Sequence, residues 1–129
     1  MAHPRREIIE ALRAALEAVP GGYAVYEGDE TAAQAPCWQI HVRSERRGEG
    51  TTRGQYERLL VFNVCAIGTT PTERDDMSET LEAALLGAQL AGALEVEWEA
   101  VDLSLPEEQV EERIYPATYT CVAQSFTSR

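Results

Sequence analysis

The sequence predicts one α+β domain, with two helices packed on a mixed or antiparallel sheet of about four to five strands and a projecting β-hairpin. Three observations predict it. Apolar residues recur at helical spacing near the N-terminus and again after residue 71. Five other stretches are rich in strand formers and alternate or run apolar at period two. The segments follow one another as α-β-β-β-α-β-β within 129 residues, the length of one ordinary domain, so residues 1–129 are assigned to a single unit.

The first helix is expected over Pro4 to Val19, "PRREIIEALRAALEAV". Ile8, Ile9, Leu12, Leu16 and Val19 fall on one face and Arg and Glu on the other, and "PGG" at Pro20 to Gly22 ends the run. "YAVYE", Tyr23 to Glu27, alternates as a strand before the polar loop "GDETAAQAP". "CWQIHVRSE", Cys37 to Glu45, places Trp38, Ile40 and Val42 opposite Gln39, His41 and Arg43.

"QYERLLVFNVCAIG", starting at Gln55, sets Tyr56, Arg58, Leu60, Phe62, Val64 and Ala66 against Leu59, Val61, Cys65 and Ile67. It is apolar on both faces beyond Leu59, which predicts a central strand covered by a helix on one side and by another layer or subunit on the other. The Arg-, Gly- and Thr-rich connection from Arg46 to Gly54 is too long for a tight turn and predicts the projecting hairpin. "GEGTTRG" within it lies between two strands, whereas cradling a phosphate needs a strand running into a helix N-terminus.

A second helix is expected from about Pro71 to Ala91. "GALEVEWEAVDLSL" follows as a strand with Val96 and Trp98 on a core face against Glu95, Glu97 and Glu99. "PEEQVEE" reads as an acidic turn, and "RIYPATYTCVAQSF" as the last strand. Pro116 cannot donate to a ladder, so that strand should be bulged or at an edge near its start.

Four carboxylates crowd the stretch "TTPTERDDMSE": Glu73, Asp75, Asp76 and Glu79. Thr70 suits an N-cap, Pro71 the first helical position, and Glu73 completes a T-x-x-E capping box. Asp75 and Glu79 fall away from the apolar face of Met77, Leu81 and Leu85. The acids therefore read as a capped helix start, with interface acids and a metal site as the alternatives; convergent ligands from a second element are lacking. Further along, Leu86 and Leu90 continue the line of Asp75 and Glu79, giving the helix a second apolar face suited to a subunit contact, with cover by the chain's own loops as the alternative.

The net charge of −11 is uneven. Residues 73 to 112 carry thirteen acids against Arg74 alone, while Arg43, Arg46, Arg47, Arg53 and Arg58 cluster with three Glu between residues 43 and 58. Such an acidic chain repels nucleic acid. The hairpin arginines Arg46, Arg47, Arg53 and Arg58, without interleaved aromatics or a basic helix, read as contacts for a protein partner.

The odd set of cysteines, Cys37, Cys65 and Cys121, lies in apolar strands without C-x-x-C spacing and reads as reduced, buried thiols. No apolar run approaches the roughly 20 residues of a membrane span, and the start has no secretory pattern; a soluble, non-exported chain is expected. No nucleophile elbow, Cys/His pairing or H-E-x-x-H is present, so neither a catalytic residue, a metal nor a cofactor is expected.

The succession of amphipathic helix, "CWQIHV", loop, "YERLLVFNVCAIG", "TTPTERDDMSETLEAALLGA", "EVEWEAVDLSL" and "RIYPATYTCVAQSF" resembles the tail terminator proteins of long-tailed bacteriophages across nearly the whole chain. That resemblance implies a non-enzymatic virion protein of the tail and neck, assembled in the host cytoplasm. It implies a hexameric ring that caps the tail tube, stops its polymerisation and offers a surface to the head-tail connector. DNA would pass without sequence-specific binding, through a bore to which the acids Glu95, Glu97 and Glu99 could contribute. Another neck, head-closure or tail-completion protein is the alternative, and a carboxylate-dependent metalloenzyme a more distant one.

Overall fold

A computed structural model of the protein describes residues 4–19, 21–28, 35–48, 55–87, 93–103 and 114–128. The helical spacing of Ile8, Ile9, Leu12 and Leu16 produces α1 (Pro4–Glu17), with all four side chains buried. Gly22, at φ +64°, takes the left-handed conformation that only glycine adopts without strain and turns the chain toward β1 (Ala24–Glu27). Next come β2 (Cys37–Arg47), β3 (Gln55–Gly68), α2 (Pro71–Gly87), β4 (Ala93–Asp102) and β5 (Tyr115–Ser128). This is the α-β-β-β-α-β-β order that the sequence predicts.

The five strands form one sheet in the order β1-β2-β3-β5-β4. β1 runs parallel to β2, and every other pair is antiparallel. The doubly apolar strand is therefore central, as expected of β3. Both helices pack on one face. Leu60, Phe62, Val64 and Ala66 of β3 meet Trp38 and Ile40 of β2, Ala117, Tyr119, Cys121 and Ala123 of β5, and the buried faces of α1 and of Met77, Leu81 and Leu85 on α2. Replacing a leucine in such a core by alanine typically costs about 2–5 kcal/mol. On the other face Leu59, Val61, Cys65 and Val122 are half-buried, while Cys37 and Ile67 at its end are buried.

Three features depart from simple alternation. β2 has a bulge at Arg43, where the register passes from Val42↔Phe62 directly to Ser44↔Val61. Beyond it the faces exchange: Glu45 and Arg47 join the helix side, and Ser44 and Arg46 the uncovered side. β4 has two more irregularities, at Leu94, between Ala93↔Ser125 and Glu95↔Gln124, and at Glu99, between Trp98↔Cys121 and Ala100↔Thr120. Glu99 thus leaves the face it would share with Glu97 in a regular strand. Trp98, expected in the core, lies on an edge strand and is 37% exposed.

Pro116 sits in β5 opposite Ile67, but the ladder to β4 ends at Thr118. Among the described residues the proline therefore has no strand partner on the β4 side, the position in a sheet where a missing N–H is best tolerated.

Candidate functional site

The acidic stretch folds as a helix start. Thr70 Oγ1 accepts the Glu73 amide at 3.1 Å, and the Thr70 carbonyl accepts the Arg74 amide at 3.0 Å. The Glu73 carboxylate reaches back one residue further than a standard capping box, accepting from the Thr69 amide at 2.7 Å and the Thr69 hydroxyl at 2.9 Å. Thr70 and Glu73 thus act as caps. Asp75, Asp76 and Glu79 are exposed, and Asp75 pairs with the neighbouring Arg74 at 3.1 Å. Among the described residues no three His, Cys, Asp or Glu side chains converge as metal ligands. The last turn of α2 includes the backbone of Leu86; Leu90 lies outside the described residues.

The hairpin arginines divide into distinct environments. Arg46 and Arg47 belong to β2, paired with Leu59 and Arg58, and not to the loop in which the sequence placed them. Both are exposed, and Arg47 stacks over the Tyr56 ring at 4.5 Å. The Arg58 side chain is only 16% exposed, held by Glu45 and by the Tyr56 hydroxyl at 2.7 Å. Glu45 also accepts from Arg5 of α1 at 3.0 Å, tying the base of the hairpin to that helix. Arg53 lies outside the described residues.

The sheet has two unlike edges. β1 pairs with Cys37 to Ile40 of β2, and β2 then runs on against β3 to Arg47. That second half of β2 carries Arg43, Arg46 and Arg47. At the opposite edge, β4 carries Glu95, Glu97, Glu99 and Asp102, with Glu97 and Glu99 exposed.

The large hydrophobics left exposed among the described residues also lie at these edges: Val42 at 40% on β2, and Trp98, Val101 and Leu103 at 37%, 39% and 50% on or just past β4. Val42 and Trp98 share a row across the sheet, since Val42 pairs with Phe62, Phe62 with Cys121, and Cys121 with Trp98. An open depression beside Val42 is lined by Ile9, Arg5 and Arg6.

Inside the sheet, burial pushes the thiols of Cys37 and Cys121 up to about 11 and about 12. Cys65 is shifted the same way and meets the Thr118 hydroxyl at 3.4 Å. Thiols held in this form are poor nucleophiles. The Tyr119 hydroxyl donates to Glu82 at 3.1 Å, and its ring takes the edge of Trp98 at 5.4 Å between centroids. Nothing in the local pattern marked Glu82, because the contact joins α2 to a strand far along the chain.

No protein-family model matches the chain, and no curated protein sequence does. Among solved structures it is similar to a chain in the virion of a native gene transfer agent (GTA) particle. The two share one fold. The TM-score is 0.73 at 14% identity, over 98% of this chain and 100% of the other. At that identity the likeness is one of architecture.

Proposed function

We propose that the protein is a non-enzymatic structural component of a phage-like virion, and specifically a tail terminator. It caps the tail tube as a ring of identical subunits, stops tube polymerisation and receives the head-tail connector. The observation that carries this reading is the end-to-end fold likeness to a virion chain. The sheet supports it: one face is covered by α1 and α2, while the other keeps half-buried apolar residues that a lone subunit gains nothing by exposing.

In this reading the exposed acids Asp75 and Glu79 of α2, together with Leu86 and Leu90, belong to contacts between subunits. Arg46, Arg47 and Arg53, with Arg58 at their base, serve the tube- or connector-facing hairpin. Glu95, Glu97 and Glu99 contribute acids near a bore through which DNA slides without being held. The place of action is the tail and neck of the virion, after assembly in the host cytoplasm.

The test is to add the purified chain to polymerising tube subunits and to measure tube length by electron microscopy. Short, capped tubes carrying a ring of the protein are expected. Unrestricted growth, with binding to the connector alone, would favour a head-closure or other neck protein.

A further inference from the structure

We propose that the cleft at the foot of the hairpin is a carboxylate-recognition site, which takes an acidic segment of a partner protein in the particle. The proposal rests on the reading of the hairpin as facing the tube or connector, and it names the chemistry of what meets it. The cleft is open, and Arg5, Arg46, Arg47 and Arg58 line it together with Tyr56 and Glu45.

Its construction begins at the bulge of β2, which turns Glu45 and Arg47 to the side of Tyr56 and Arg58. Arg47 then stands directly opposite Arg58 in the register. Like charges directly opposite each other destabilise a sheet, so folding alone gives no reason for this pair. Tyr56 makes it tolerable. Its ring lies 4.5 Å from the Arg47 guanidinium and 5.3 Å from that of Arg58, and its hydroxyl accepts from Arg58 at 2.7 Å.

The four guanidiniums are unequally engaged. Arg58 and Arg5 both donate to Glu45, so the cleft already holds one carboxylate between two arginines. Arg46 and Arg47 are exposed, and among the described residues neither has an ion pair. A guanidinium stacked on a ring through its flat face keeps its N–H edge for a fork of two parallel hydrogen bonds. A second carboxylate at Arg47 would offset the repulsion from Arg58 and repeat the arrangement around Glu45.

Two features select a carboxylate over a nucleic-acid backbone. The chain carries a net charge of −11, and duplex DNA brings one negative charge about every 1.7 Å of its axis. Glu45 also sits inside the cleft, where it opposes a run of phosphates. One or two side-chain carboxylates ask for no more than Arg46 and Arg47 offer.

The experiment titrates the full chain with a capped pentaglutamate peptide and follows the Arg47 Nε–H and Tyr56 ring signals by NMR. Pentaglutamine and an oligothymidylate of equal charge serve as comparisons, and circular dichroism checks folding. Saturable shifts centred on Arg47 and Tyr56 are expected with pentaglutamate and none with pentaglutamine. Arg47→Gln should weaken binding about tenfold, as loss of a charged hydrogen-bond donor does. Arg43→Gln removes the same charge from the same strand outside the cleft and should leave the affinity unchanged.

Equal weakening by both variants, or by neither, would overturn the cleft as a site. Tighter binding of the oligothymidylate would overturn the carboxylate assignment. Peptide that dissolves assemblies of the chain itself would place the acidic segment in a second copy and overturn the partner protein. A chain that shortens growing tubes without binding pentaglutamate loses the cleft alone; one that binds it as described without shortening tubes keeps the cleft and loses the terminator reading.

Discussion

Gly68 lies so close to the first turn of α2 that a Cβ on it would sit 2.6 Å from the backbone nitrogen of Arg74. The obstruction is backbone, which cannot swing aside. Gly68→Ala should therefore displace α2 from the end of β3 and cost about 1–3 kcal/mol, the usual range for overpacking. Urea unfolding would read this as a lower midpoint, and an unchanged midpoint would mean that the helix is not seated as described.

The helix cap gives a second expectation. Thr70→Ala removes the acceptor for the Glu73 amide and should cost about 0.5–2 kcal/mol. The same stretch separates a structural protein from a carboxylate-dependent enzyme. Divalent cations should leave the melting temperature of the wild type unchanged. A metal-dependent rise that disappears in Asp75→Asn/Glu79→Gln would restore the enzymatic alternative.

Arg46→Glu with Arg47→Glu should leave monomer stability within about 0.5 kcal/mol, since both side chains are exposed. Tail completion should nevertheless fail. Infectious particles at normal yield from that double variant would remove this part of the hairpin from consideration as a contact.

Glu27 accepts from Arg6 and, at 3.4 Å, from Arg13, joining the end of β1 to α1. The hydrogen bond from Arg6, opposed by burial, holds its carboxyl below the ordinary range. A depressed folded-state pKa stabilises above the unfolded value, about 4.3, and that contribution disappears as pH falls through the folded value. Glu27→Gln should accordingly weaken the fold at pH 7 by no more than about 1 kcal/mol, given the partial exposure of both partners. Denaturation curves of variant and wild type should converge as pH falls below the folded value; a gap that persists in acid would assign the effect to packing.

Leu86→Glu should abolish ring formation while circular dichroism still reports a folded monomer. An unfolded product would instead place Leu86 in the core.

Much of this fold was legible because side-chain period survives in sequence. The 3.6-residue spacing of Ile8, Leu12 and Leu16, and the two-residue spacing of Leu60, Phe62 and Val64, each state which side is buried. The bulges were not legible. An extra residue leaves the composition of a strand unchanged, so Arg43 and Glu99 looked like regular members of their faces. Strand order was equally hidden, because the placement of β5 between β3 and β4 depends on pairing between distant segments. Trp98 was assigned to the core for that reason: only the order of the sheet reveals that its strand is an edge. Glu73 was recognised as a cap, yet its reach to Thr69 depends on how the chain enters the helix.

The length of β1 is set by one backbone conformation. Gly28, at φ +67°, still donates its amide to the Ile40 carbonyl at 2.8 Å, and its left-handed conformation ends the strand after Glu27. A side chain there would strain that turn, so a single glycine decides how many rows of β2 carry a parallel neighbour.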